Sequence, residues 1–242
     1  MEYKVFLLII CLIWTFQLTL KFNPHKFVML TTNDKTKIPS HIHAQWTQFF
    51  TGDVSVVEDK ECLVFLSTYY GQQYVDKFNY MKSGAHKADL FRYAWLYKNG
   101  GIYMDIKTIL IKPVESIFDD INHTYFVITK PDRLYNGIIA TPRENPILKA
   151  LLDDVMLFDN DEEYLTIVKN GHTVLLDQLN VSSLHAGIHD YAYHMPVHIF
   201  EERFYSRFNC LNNQIDRYGV CTYAVNQHNE RIIKIRDATY PW

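Results

Sequence analysis

The spacing of apolar positions along the chain changes period several times, and each change marks an element. Residues 5–20 are an almost wholly apolar run without a charge, bracketed by Lys4 and Lys21. Short apolar runs follow at 26–31 (KFVMLT), 61–68 (ECLVFLST), 125–129 (YFVIT) and 137–140 (GIIA). Their lengths and polar boundaries predict strands, with 26–31 the first of the sheet and 61–68 a fully buried one. The intervening 38–46 reads as the loop after the first strand, and 69–82 as a polar and aromatic connector. Residues 109–111 alternate with polar neighbours until Pro113 stops them. Pro146 opens a helix carried by Ile147, Leu148, Leu151, Leu152, Val155 and Met156, predicted to cover the sheet. The stretch from 217 to the end predicts one or two more strands.

The densest pattern lies at residues 85–108, AHKADLFRYAWLYKNGGIYMDIKT. Over 87–98, Leu90, Ala94 and Tyr97 recur at helical spacing with Phe91 and Trp95 beside them, predicting an amphipathic helix with one buried face. Asn99, Gly100 and Gly101 tolerate positive φ and end it. In the short extended segment after them, Ile102 and Met104 face one side while Tyr103 and Asp105 face the other. If the extended form persists, Lys107 joins Asp105. Asp89 and Arg92, three residues apart, project from one helix face. Taken alone they are either a surface ion pair or part of a ligand site. The aspartate aimed out of a nearby strand end favours the ligand site, because open α/β sheets bind ligands there.

The string at Ala88, Asp89, Arg92, Tyr93, Leu96, Tyr97, Gly100, Gly101, Ile102, Tyr103 and Asp105 resembles the glycosyltransferases with a DXD sugar-binding region. These include yeast initiating mannosyltransferases, inositol-phosphoceramide mannosyltransferases and capsular transferases. The resemblance implies an α/β, GT-A-like (Rossmann-like) nucleotide-sugar fold. It also implies transfer of a hexose from a nucleotide sugar to a glycan or glycolipid, with retention. Asp89, Arg92, Tyr103, Asp105 and Asn136 would bind the donor sugar. The segment at Ile38, Pro39, Ile42, His43 and Trp46 resembles the family's N-terminal signature, which implies that His43 and Trp46 flank the nucleotide. The stretch NGIIATPRENPILKALL from Asn136 resembles a further family segment, and 170–176 resembles another only weakly.

The second acid of D-x-D is Lys107 here. A carboxylate such as Asp105 suits Mn²⁺ or Mg²⁺. An ammonium instead suits the donor diphosphate directly, as a point charge. Metal dependence is therefore in doubt, with Asp105 and, among late residues, His228 as candidate ligands. No carboxylate in the sequence identifies itself as a nucleophile. His185, His189, His194 and His198 form two i,i+4 pairs, but Pro196 breaks any single helix through them and no zinc pattern is complete. The alternative function is a silent sugar-nucleotide- or glycan-binding relative whose D-x-D site has decayed.

Composition narrows the setting. Apolar residues are 48% of the 242, aromatics 15%, and net charge is −3. This is a folded chain with no basic footprint for nucleic acid. The run at 5–20 is expected to make residues 1–24 an uncleaved signal anchor, with 25–242 a luminal domain of a type II protein of the Golgi or endoplasmic reticulum; the alternative is a cleaved signal peptide. Two sequons, at Asn122 and Asn180, agree with that compartment. So does a disulfide between Cys210 and Cys221. Cys62, in an apolar run, is expected as a buried free thiol.

Overall fold

The computed structural model describes residues 26–30, 35–38, 40–120, 122–159, 163–191, 195–210 and 220–235. The apolar run at 5–20 and the tail with Trp242 lie outside them. Among the described residues no helix is long and apolar enough to cross a membrane.

The architecture is mixed α/β. Strands β1 (Lys26–Leu30), β2 (Asp53–Val57), β3 (Gly101–Met104), β4 (Ile109–Leu110), β5 (Thr124–Thr129), β6 (Arg133–Thr141), β7 (Gly187–Tyr191), β8 (Met195–Ser206), β9 (Val220–Val225) and β10 (Arg231–Lys234) form one sheet. Its order is β2-β1-β3-β6-β5-β8-β9-β10-β4, and β7 pairs with β8. Strands β1, β2 and β3 run parallel, and β5 is parallel to β8. Strand β6 lies antiparallel between β3 and β5.

Helices α1 (Ser40–Phe49), α2 (Asp59–Tyr69), α3 (Gln72–Tyr80), α4 (Gly84–Asn99), α5 (Val114–Ile117), α6 (Pro146–Leu157) and α7 (Thr166–Leu179) complete the fold. Strand alternation divides the core. Tyr103, Phe126, Ile128 and Ile139 face a cluster shared with α2, α3, α4, α6 and α7. Ile102, Met104, Tyr125 and Val127 face a second, built with Ile42, Trp46 and Phe50 of α1.

Three expectations from the sequence are corrected. Residues 61–68 are not a strand but the body of α2: Cys62 and Leu66, four apart, are its buried residues. Glu61 reaches back at 2.8 Å to accept from the Glu58 amide, as in a capping box. The connector at 69–82 contains α3, whose buried Tyr74 and Phe78 are again four apart. The loop at 38–46 becomes α1, with Ile42 and Trp46 packed on the sheet. The alternating DVSVV at 53–57, passed over in sequence, is an edge strand.

Helix α4 is buried almost all round rather than on one face; Lys98 is its only exposed position. Gly100 and Gly101 take φ of 63° and 106°, as the turn into β3 requires. Helix α6 begins at Pro146, with the Asn145 side chain accepting from the Ile147 amide at 2.8 Å. Cys210 and Cys221 are disulfide-bonded, and Cys62 is a buried free thiol.

Candidate functional site

Because β1, β3, β5 and β8 point the same way, their carboxyl ends share one edge of the sheet, and a cavity of about 380 Å³ opens there. Its lining brings together Asp89, Arg92, Tyr103, Asp105, Lys107 and Asn136. Helix α4 supplies the first two, β3 and its following turn the next three, and β6 the last. Asp89 and Arg92 are 5% and 4% exposed, so a surface pair is ruled out.

The polar contacts form one connected network. Asn136 accepts from the Tyr93 hydroxyl at 2.7 Å and donates to Asp89 Oδ1 at 3.1 Å. Arg92 lies 3.5 Å from Asp89 and 3.4 Å from Asp105, with its guanidinium 4.3 Å from the centre of the Tyr103 ring. The Tyr103 hydroxyl donates to Asp105 Oδ1 at 3.1 Å, as strand alternation places them on one side. Lys107 Nζ lies 3.3 Å from Asp105 Oδ2. Lys107 reaches Asp105 although the chain turns after Met104 instead of staying extended.

The two acids are tuned in opposite directions. Burial pushes the Asp89 carboxyl above its usual value, and the nearby Arg92 and the Asn136 amide only partly offset it. Burial also opposes ionisation of Asp105, but Lys107, Arg92 and the Tyr103 hydroxyl outweigh it and hold that carboxyl below its usual value.

Gly137, expected only as the start of a strand, belongs to the site as well. A Cβ there would sit 2.5 Å from the Tyr135 hydroxyl and 2.7 Å from Asp105 Oδ2. The Asp105 amide also donates to the Gly137 carbonyl at 2.8 Å. Only a residue without a side chain lets β6 press this closely on the carboxylate. Glu202 of β8 and Thr129 of β5 line the same cavity and were also missed.

Other expected residues lie elsewhere. Trp46 is core on the second face of the sheet, and His43 belongs to α1 by its backbone. His228 is exposed in the turn between β9 and β10. His189 contacts His185, whereas His198 meets His123 at 2.9 Å, and His194 lies outside the described residues. Among the described residues no three His, Cys, Asp or Glu side chains gather as a metal site. Asp105 alone, with an ammonium on one oxygen and a phenol and guanidinium on the other, is a poor match for the oxygen-rich shell of a hard divalent cation.

Residues 13–126 match the family described as a glycosyltransferase sugar-binding region containing a DXD motif. That stretch, just under half of the chain, is similar to the sugar-binding region of this glycosyltransferase family. Helix α4, β3 and the acids of the network fall within that region, while Thr129, Asn136 and Glu202 lie beyond it. The chain is similar to an initiation-specific alpha-1,6-mannosyltransferase of Candida albicans, at 35% identity over 91 residues, which is 36% of this chain and 23% of that protein. It is 33% identical over 75 residues to the Saccharomyces cerevisiae protein of the same name, covering 29% of this chain and 16% of that one. The matched stretch thus spans less than a quarter of either relative. A solved structure, PaToxG Glycosyltransferase, superposes with a TM-score of 0.45 at 16% identity, over 64% of this chain and 70% of that one.

Proposed function

We propose that the chain is a glycosyltransferase that moves a hexose from a nucleotide sugar to a glycan or glycolipid hydroxyl. The convergence of Asp89, Arg92, Asp105 and Asn136 on one cavity at the carboxyl ends of the strands carries this reading. The names of the relatives make mannose the first sugar to try. A GT-A-like arrangement agrees with parallel β2-β1-β3 followed by mixed pairing.

Asp89 and Asp105 accept hydrogen bonds from donor hydroxyls, and the Arg92 guanidinium and the Asn136 amide hold the two carboxylates in place. As the anomeric bond to the diphosphate breaks and the bond to the acceptor oxygen forms, with retention, negative charge grows on the leaving diphosphate, which takes up the proton released by the acceptor hydroxyl. Lys107, 19% exposed at the cavity, sets an ammonium there without a metal. Residues 1–24 anchor the chain facing a secretory-pathway lumen, a placement that the Cys210–Cys221 bond supports.

Sugar release and transfer from a nucleotide-sugar panel, assayed in EDTA, test this. Wild type is expected to stay active, and Lys107→Ala to lose about a hundredfold. Loss of all activity on chelation contradicts metal independence. Lys107 also favours a second reading, a sugar-nucleotide-binding relative without turnover. Donor binding without sugar release from any donor would select it.

A further inference from the structure

The strand pairing brings a carboxylate into the cavity that no motif announces. Strand β8 runs parallel to β5 with Glu201 opposite Ile128, so Glu202 comes beside Thr129. The Thr129 hydroxyl donates to Glu202 Oε2 and fixes the side chain. Glu202 is 7% exposed and lines the cavity. Its Oε1 is buried and accepts no hydrogen bond from the described residues. An unmet buried acceptor costs about 1–3 kcal/mol, more for a charged group, so such atoms are kept where a ligand supplies the donor.

Its place in the sheet indicates which part of the ligand it meets. Asp105 follows β3, whereas Glu202 sits on β8, three strands away across β6 and β5. At about 4.8 Å per strand the two backbones lie roughly 14 Å apart, so the two acids approach the cavity from opposite sides. The parallel β2-β1-β3 portion, where an open α/β sheet takes a nucleotide, lies on the opposite side of Asp105 from Glu202. On the transferase reading, on which this inference rests, the donor runs from the β1 side to Asp105 and the acceptor enters from the β8 side. We propose that Glu202 is an acceptor-binding residue: its Oε1 accepts a hydrogen bond from a hydroxyl of the incoming sugar.

The test compares wild type with Glu202→Gln, which keeps the side chain's shape. Donor hydrolysis is measured for GDP-mannose, UDP-glucose and UDP-galactose. Transfer is measured to methyl α-mannopyranoside and methyl β-galactopyranoside. In the variant the acceptor KM is expected to rise about tenfold or more, as loss of a charge-assisted hydrogen bond implies. The donor KM in hydrolysis should stay unchanged, and the melting temperature should not fall, since the change removes a buried charge with an unmet oxygen. Transfer at the wild-type KM and kcat overturns the assignment. So does a parallel rise in the donor KM, which would make Glu202 a donor contact, or a lower melting temperature, which would make it structural. A wild type that turns over none of these donors overturns the transferase reading instead, and is recognised by its silence in both assays.

Discussion

The two walls of the cavity are built on opposite electrostatic plans. On the α4–β3 wall every charge is answered from within: Asp89 by Arg92 and Asn136, and Asp105 by Tyr103, Arg92 and Lys107. On the β5–β8 wall Glu202 is held by Thr129 through one oxygen, while the other meets no partner among the described residues. A closed network fixes geometry before any ligand arrives, which suits recognition of a bound sugar. An open acceptor gives up stability until a partner hydroxyl comes. One wall is therefore preorganised and the other poised.

If the first wall is a single network, removing its shared cation should have the largest effect. Arg92→Ala leaves the buried Asp89 and the partly buried Asp105 without their shared cation and should cost about 3–5 kcal/mol in urea unfolding, with loss of sugar-nucleotide binding. A cost under about 1 kcal/mol would show the pair to be only surface-like. The disulfide, which ties the turn after β8 to β9 and joins cysteines 11 residues apart in sequence, separates stability from recognition. Cys210→Ser with Cys221→Ser should lower stability by about 3 kcal/mol while leaving donor affinity intact; a matching loss of affinity would tie the two regions together.

Smaller effects sharpen the contrast. Gly137→Ala pushes a methyl toward Asp105 and Tyr135 and should cost about 1–3 kcal/mol, weakening donor binding more than acceptor binding. Equal effects on both would blur the two walls. The smallest change concerns acid. Since Asp105 is held below its usual carboxylate value, it stabilises the fold above about pH 4, and this contribution is lost as pH falls through the folded-state value. Lys107→Ala removes one of the two cations responsible, so the acid limb of the stability curve should move to higher pH. An unmoved limb would mean that Arg92 and the Tyr103 hydroxyl set the Asp105 proton affinity without Lys107.

How much of this was legible follows the same division. The α4–β3 wall could be read because its residues are local in sequence: a helix, a double glycine and an alternating strand place Asp89, Arg92, Tyr103 and Asp105 within 17 residues. Period alone did not show that α4 is buried all round, because its Asp and Arg look like a polar face until the network that accommodates them is seen. Apolar runs such as ECLVFLS read as strand or helix equally well, and the Glu58–Glu61 cap decides for helix. Glu202 was illegible for a stronger reason: only the parallel pairing of β5 with β8 puts it beside Thr129, 73 residues away. Gly137 matters through the same kind of long-range approach, to a carboxylate on another strand.

The central claim is that this cavity binds a nucleotide sugar through the Asp89–Arg92–Asp105 network, with Lys107 in place of a divalent cation. The most direct measurement is the thermal shift of the purified chain with a panel of nucleotide sugars in EDTA, repeated with Mn²⁺, since a ligand bound only to the folded state raises its melting temperature by mass action. At least one donor is expected to raise the melting temperature by several degrees in EDTA, with little further gain from Mn²⁺. A shift seen only with Mn²⁺, or with no donor at all, would contradict the account.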